Sequence, residues 1–213
     1  MVMLGGPNAF GAGAWFGSPV ERALPVDMDV TSRLRIPSLA MLFVIDKSGS
    51  MANRDASGVS KLDQVKEAVL ASVEIMNPLY QVALIAFDAN PELVVAPTEA
   101  GDQAGIAAEL LDLAPGGGTI LGPALAEAGL VLAGIEAAVK HIIVLTDGLT
   151  VEEDFRTAVD ELRGSGVTVS TVAIGDNADR DLLANVARWG DGRAYVTDSS
   201  ERIPQIFTAE TAI

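Results

Sequence analysis

The sequence predicts a layered α/β domain built on a mostly parallel sheet, and three observations carry that prediction. From Ser38 onward, short β-branched or apolar runs alternate with segments whose apolar residues recur at helical spacing. Most of those runs are apolar throughout, as strands buried on both faces require. A single link between successive runs, DANP at 88–91, is too short to hold a helix, so one strand pair is expected to be a hairpin.

The strand candidates, in order, are SLAMLFVI (38–45), QVALIAF (81–87), ELVVAPT (92–98), HIIVLT (141–146), VTVSTVAI (167–174) and RAYVT (193–197). ELVVAPT follows the hairpin and is expected to run antiparallel at an edge, where the missing amide proton of Pro97 does no harm. Between the first two strands, Leu62, Val65, Val69, Ser72, Val73 and Met76 form one helical stripe, with Asp63, Lys66 and Glu67 off it. The same spacing recurs in Phe155, Ala158, Val159 and Leu162, and again in Leu182, Val186 and Trp189. Ile106, Leu110, Leu121, Leu125 and Leu132 indicate helices on either side of a glycine run.

Residues 1–37 differ from this pattern, being rich in glycine and proline and without clean periodicity, and are read as an extension outside the core formed by residues 38–213. Trp15 and Phe16 are expected to anchor that arm to its own domain. GAGAWFG lacks the preceding strand that a dinucleotide-binding turn requires.

Composition narrows the function. Apolar residues make up 49% and charged residues 20% of 213, a globular balance that suits one core. The net charge of −15 leaves no basic face for nucleic acid or an anionic membrane, whereas a cation or a basic partner is compatible with it. The absence of cysteine excludes disulfides, thiolate metal sites and cysteine nucleophiles. The longest clean apolar run, LAMLFVI at 39–45, is far below the roughly 20 residues of a membrane span, so no insertion by this chain is expected.

Three motifs stand where the predicted strands end. FVIDKSGSM places Asp46, Ser48 and Ser50 on alternate positions, APGGGTILG carries Thr119 behind three glycines, and HIIVLTDG sets Asp147 directly after an apolar strand. In open α/β sheets ligands collect beyond the carboxyl ends of the strands. Two carboxylates and three hydroxyls are hard donors, suited to magnesium, manganese or calcium rather than to zinc or copper. With two formal negative charges around a divalent ion, a carboxylate from another molecule would be welcome.

The alternatives are weaker. Asp, Ser and Thr also serve as turn and helix-cap residues, but three separated motifs agreeing on one edge favour a site. A calcium loop of the EF type would need glycine at Met51 and an acid at Ser57, and a phosphate loop would need a lysine before Thr119. His141, the sole histidine, stands at the start of its strand, away from that edge, and reads as structural or partly exposed. Catalysis thus lacks a nucleophile and base pair, and the expectation is a non-enzyme. The acids at 176–181 are read as a helix start, with Asn177 or Asp179 as cap, rather than as a second cation site.

DKSGS at 46–50, GGGT at 116–119 and TDG at 146–148 resemble the metal-ion-dependent adhesion site of von Willebrand factor type A domains, and the likeness covers about residues 38–205. The resemblance implies a doubly wound, Rossmann-like, six-stranded mostly parallel sheet with one antiparallel edge strand and helices on both faces. It implies that Ser48, Ser50 and Thr119 are hydroxyl ligands of a divalent ion, Mg2+ or alternatively Mn2+ or Ca2+, with Asp46 and Asp147 acting directly or through water. It further implies a protein partner that supplies an acidic residue to the ion, and a last helix, within residues 201–213, that shifts on engagement. Residues 2–26 are similar to the closing part of a glutamine-amidotransferase-like domain of large bacterial membrane-anchored proteins. That likeness implies a soluble piece of such a protein, extracytoplasmic rather than cytoplasmic, without amidotransferase chemistry; the fragment is expected to be monomeric in isolation. A structural spacer and a metal-dependent phosphohydrolase using Asp46 are the competing functions. Phosphatases of the haloacid dehalogenase type place a second aspartate where this chain has Ser48.

Overall fold

Residue by residue, the computed structural model describes 38–54, 58–148, 155–175, 178–197, 202, 205–206 and 210. The N-terminal extension, with Trp15 and Phe16 and the amidotransferase-like stretch, lies outside the described residues, as do Asn177 and most of 201–213.

Six strands form one sheet: β1 (Leu39–Asp46), β2 (Gln81–Phe87), β3 (Pro91–Glu99), β4 (Val139–Thr146), β5 (Val167–Ile174) and β6 (Asp191–Thr197), in the order β3-β2-β1-β4-β5-β6. Every pairing is parallel except β2 with β3, the hairpin turned at Asp88–Asn90. The register of that pair slips between Val82 and Leu84, opposite the segment that holds Pro97, so the proline sits at an irregular edge as its missing amide requires. Among the described residues the main helices are α1 (Lys61–Ile75), α2 (Gln103–Leu111), α3 (Leu121–Ala133), α4 (Phe155–Gly164) and α5 (Arg180–Trp189).

Alternation along β1 divides the core. Leu39, Met41, Phe43 and Ile45 pack with Leu62, Val65, Val69, Val73, Ile106 and Leu110 on the α1 and α2 face. Ala40, Leu42 and Val44 pack with Leu125, Leu132, Phe155, Val159 and Val186 on the face covered by α3, α4 and α5. With both faces covered, β1 is buried along its whole length. β6, at the far edge, is exposed along much of its length, unlike the central strands. Among the described residues no helix is long and apolar enough to cross a membrane.

Helix starts follow cap chemistry. Ser60 accepts from the Asp63 amide, Asp102 from Gly105 and Asp179 from Leu182, each satisfying a donor that the first turn leaves open. Asp179 thus has the capping role expected of the acidic stretch. His141 is the third residue of β4, because the strand begins two residues before the apolar run. It is buried to 1% exposure, so the structural reading holds and the partly exposed one does not.

Candidate functional site

The cleft at the carboxyl edge of β1 and β4 is assembled by backbone bonds between distant loops. The Lys47 amide donates to the Phe87 carbonyl at 2.8 Å, Gly116 donates to the Lys47 carbonyl at 2.7 Å, Gly49 to Gly117 at 3.3 Å and Ile120 to Asp88 at 2.8 Å. These bonds carry the glycine run up against the end of β1. Gly117 has φ +76°, and a Cβ there would lie 2.6 Å from Asp88 Oδ2, so neither its conformation nor its space admits a side chain.

The structure brings all five sequence-predicted residues to this cleft. Asp46, last in β1, is fully buried, and Asp147, one residue beyond β4, is 1% exposed. Asp46 Oδ1 accepts from the Ser48 amide at 2.7 Å. The hydroxyls of Ser48 and Ser50 lie 3.1 Å apart, and Ser50 donates to Asp147 Oδ1 at 2.6 Å. Thr119 enters from the glycine run: a Cβ built on Gly148 would lie 3.4 Å from Thr119 Oγ1 and 3.7 Å from Asp46 Oδ2, which places hydroxyl and carboxylate around the same small residue. Ser48 precedes a short 3₁₀ turn, Gly49–Ala52, yet its side chain makes no cap hydrogen bond. Helix capping therefore does not account for its hydroxyl.

Two further residues belong to the cleft and were not singled out from sequence. Thr146 donates to Asp46 Oδ2 at 2.5 Å and accepts from the Gly148 amide at 3.2 Å. Its signal was the residue before the aspartate in TDG. Lys61, first residue of α1, places its ammonium 2.5 Å from Asp147 Oδ2. Nothing local in KLDQVKEAV marks it, since a lysine at a helix start ordinarily reads as a solvated flank.

Burial pushes the Asp46 carboxyl above the ordinary aspartate range; the hydrogen bonds from Thr146 and Ser48 oppose that rise, and the nearby Asp147 charge adds to it. Among the described residues no basic side chain forms an ion pair with Asp46, and Lys61 alone reaches Asp147. The pair therefore keeps an excess of negative charge in a buried place. Among the described residues no group of three or more His, Cys, Asp or Glu is arranged to hold a metal ion. The donors assembled here are instead two carboxylates with the hydroxyls of Ser48, Ser50 and Thr119, a hard oxygen set of the type that suits Mg2+, Mn2+ or Ca2+.

An open, doubly wound α/β sheet with an acidic, hydroxyl-lined cleft beyond its strand ends defines the class of the molecule. A family model for the von Willebrand factor type A domain matches residues 41–149, just over half of the chain, and the chain belongs to that family. All five cleft residues fall inside the match.

An uncharacterized protein of Synechocystis sp. is 29% identical over 79% of this chain and 40% of its own length. Calcium-activated chloride channel regulator 1 of Bos taurus is 27% identical over 90% of this chain and 21% of its own. The chain thus spans well under two thirds of either relative. Among solved structures, a von Willebrand factor type A protein from Catenulispora acidiphila superposes with a TM-score of 0.72 at 24% identity, over 83% of this chain and 42% of that one, a likeness of fold.

Proposed function

We propose that the cleft holds a divalent cation, Mg2+ with Mn2+ or Ca2+ as substitutes, and that the chain works as an interaction module whose partner supplies a carboxylate to that ion. One observation carries the reading: two buried carboxylates and three hydroxyls from three separate segments converge, with a single ammonium among the described residues to offset them. Buried charge of one sign is costly unless paired, so the arrangement favours a cation. Ser48, Ser50 and Thr119 would hold it through their hydroxyls, with Asp46 and Asp147 acting directly or through water. An ion offset by two carboxylates that Lys61 already partly neutralises retains affinity for an anionic ligand, which is the basis of adhesion. The chemistry the ion supplies is a bridge between protein and ligand.

Hydrolysis fits the cleft less well. Ser48 stands where a second acid would serve, and its hydroxyl is engaged with Ser50. His141, the usual candidate for a general base, is buried within β4 and bonded to Thr168.

Calorimetric titration of Mg2+ and Mn2+ into the protein, with the Asp46→Ala variant alongside, tests the proposal. Saturable binding confined to the parent supports it. Equal binding by the variant would remove the assignment, while metal stabilisation with no competition from any acidic ligand would favour the spacer.

A further inference from the structure

We propose that Lys61 is a built-in counter-cation that weakens the bare site for metal and strengthens the loaded site for a carboxylate, so that metal and acidic ligand bind cooperatively. The inference rests on the metal reading above, where Lys61 enters only as a partial offset to Asp147, and gives that lysine a role in setting both affinities of the cleft.

The position of Lys61 is fixed from both ends. At its base, the Ser60 cap starts α1 directly ahead of it and the Lys61 amide donates to the Asn53 carbonyl at 3.0 Å. At its tip, the ammonium meets Asp147 Oδ2, while Ser50 occupies the other oxygen of the same carboxylate. Its path crosses the end of β5 at Gly175, where a Cβ would lie 3.5 Å from Nζ and 3.9 Å from Cε. That glycine has φ +77°, a conformation that disfavours any side chain there, and the lysine passes it at ordinary contact distance. The lysine side chain is 22% exposed and its partner carboxylate 1%, so water screens this pair less than a surface pair.

The consequence follows from charge. With both carboxylates ionised, as they are when they hold a cation, Asp46, Asp147 and Lys61 together carry one excess negative charge. Added divalent charge reverses that excess to one positive charge, so the loaded cleft attracts an anion. Without the ammonium, the same two carboxylates would neutralise the cation in full and leave little attraction for a third carboxylate. Lys61 therefore acts against the first binding event by like-charge repulsion and in favour of the second. The contact between ion and carboxylate is the reciprocal coupling free energy, and Lys61 sets how strongly it is expressed at a given ligand concentration.

The test is calorimetric titration of MgCl2 into the full chain in carboxylate-free buffer, with and without sodium acetate at matched ionic strength. The proteins compared are the parent, Lys61→Met, which keeps the length without the charge, and Lys61→Arg, which keeps the charge. Thermal melting verifies that all three fold. The expected result is Mg2+ binding about tenfold tighter in Lys61→Met than in the parent, with the enhancement by a fixed, subsaturating acetate concentration several-fold smaller in Lys61→Met than in the parent and in Lys61→Arg. Equal or weaker Mg2+ binding by Lys61→Met, or an acetate effect as large as the parent's, overturns the role of Lys61 alone. Absence of saturable binding in every protein overturns the metal reading and this inference with it.

Discussion

Two buried charged clusters share this sheet, and they are balanced in opposite ways. At the carboxyl edge, Asp46 and Asp147 face one ammonium. On the α1 and α2 face, Glu210 is 3% exposed and is met by several partners: Tyr195 donates to it at 2.6 Å, His141 Nε2 stands 3.4 Å away and Arg193 3.8 Å. His141 is held on its other side by Thr168 at 2.6 Å. The second cluster sets one carboxylate against one guanidinium and a tyrosine hydroxyl, so its charge is matched within the protein even though His141 Nε2 makes no hydrogen bond among the described residues. The first is left short of positive charge, and that shortfall, rather than burial of acids as such, is the basis on which we propose it as the ligand site.

Breaking the first cluster has the largest expected effect. Asp46→Ala removes a carboxylate and should abolish saturable Mg2+ binding while leaving the fold intact, because the residue lies at the sheet edge. The parent should gain about 2.7 kcal/mol of stability at one hundred times the Kd, seen as a rise in Tm with Mg2+, and the variant none.

The second cluster should respond the other way. Glu210→Ala removes the acceptor of the Tyr195 hydroxyl and the carboxylate beside His141 and Arg193, which costs about 1 kcal/mol of unfolding free energy, read as a lower denaturant midpoint. Its Mg2+ affinity should match that of the parent; a large loss of affinity would erase the contrast between the clusters.

Gly117→Ala sharpens the comparison at the loop that carries Thr119. The strained conformation and the collision with Asp88 should cost about 1–3 kcal/mol, with weakened Mg2+ binding because Thr119 is displaced. Calorimetry and denaturant unfolding of the same sample separate the two effects.

The smallest effect is on pH dependence. Burial lowers the pKa of His141; the Glu210 charge opposes that shift and the Arg193 charge reinforces it. The unfolded chain therefore binds the proton more readily than the folded one. Stability from this group is complete above an unfolded pKa of about 6.5 and declines as pH falls below it, toward the lower folded value. His141→Phe should flatten that slope in unfolding curves recorded across the range, without altering Mg2+ binding at neutral pH.

What was legible in the sequence is what depends on local pattern. QVALIAF and VTVSTVAI have the observed bounds of β2 and β5 because burial on both faces writes an unbroken apolar run. The hairpin was readable from the length of DANP, Asp46, Ser48, Ser50 and Asp147 from small polar groups standing where apolar runs stop, and Thr119 from the three glycines ahead of it. The strand β1 ran one residue further than its apolar run, since Asp46 still pairs with Phe87. Lys61 and Glu210 were not legible. Each meets its partner across a long sequence separation, Lys61 with Asp147 and Glu210 with His141, and a lysine at a helix start or a glutamate near the chain end carries no local mark of burial. Charge balance between distant side chains is a tertiary property, so it emerges only once the fold places them.

The central claim is that a divalent cation belongs to the carboxyl-edge cluster and not to the other. Titrating Mn2+ into isotopically labelled protein and following paramagnetic broadening of amide resonances tests it directly. The account predicts early broadening confined to residues 46–52, 116–120 and 147–148, with the amides of His141 and Glu210 sharp. Broadening centred on His141 and Glu210, or spread evenly over the acidic surface, would contradict it.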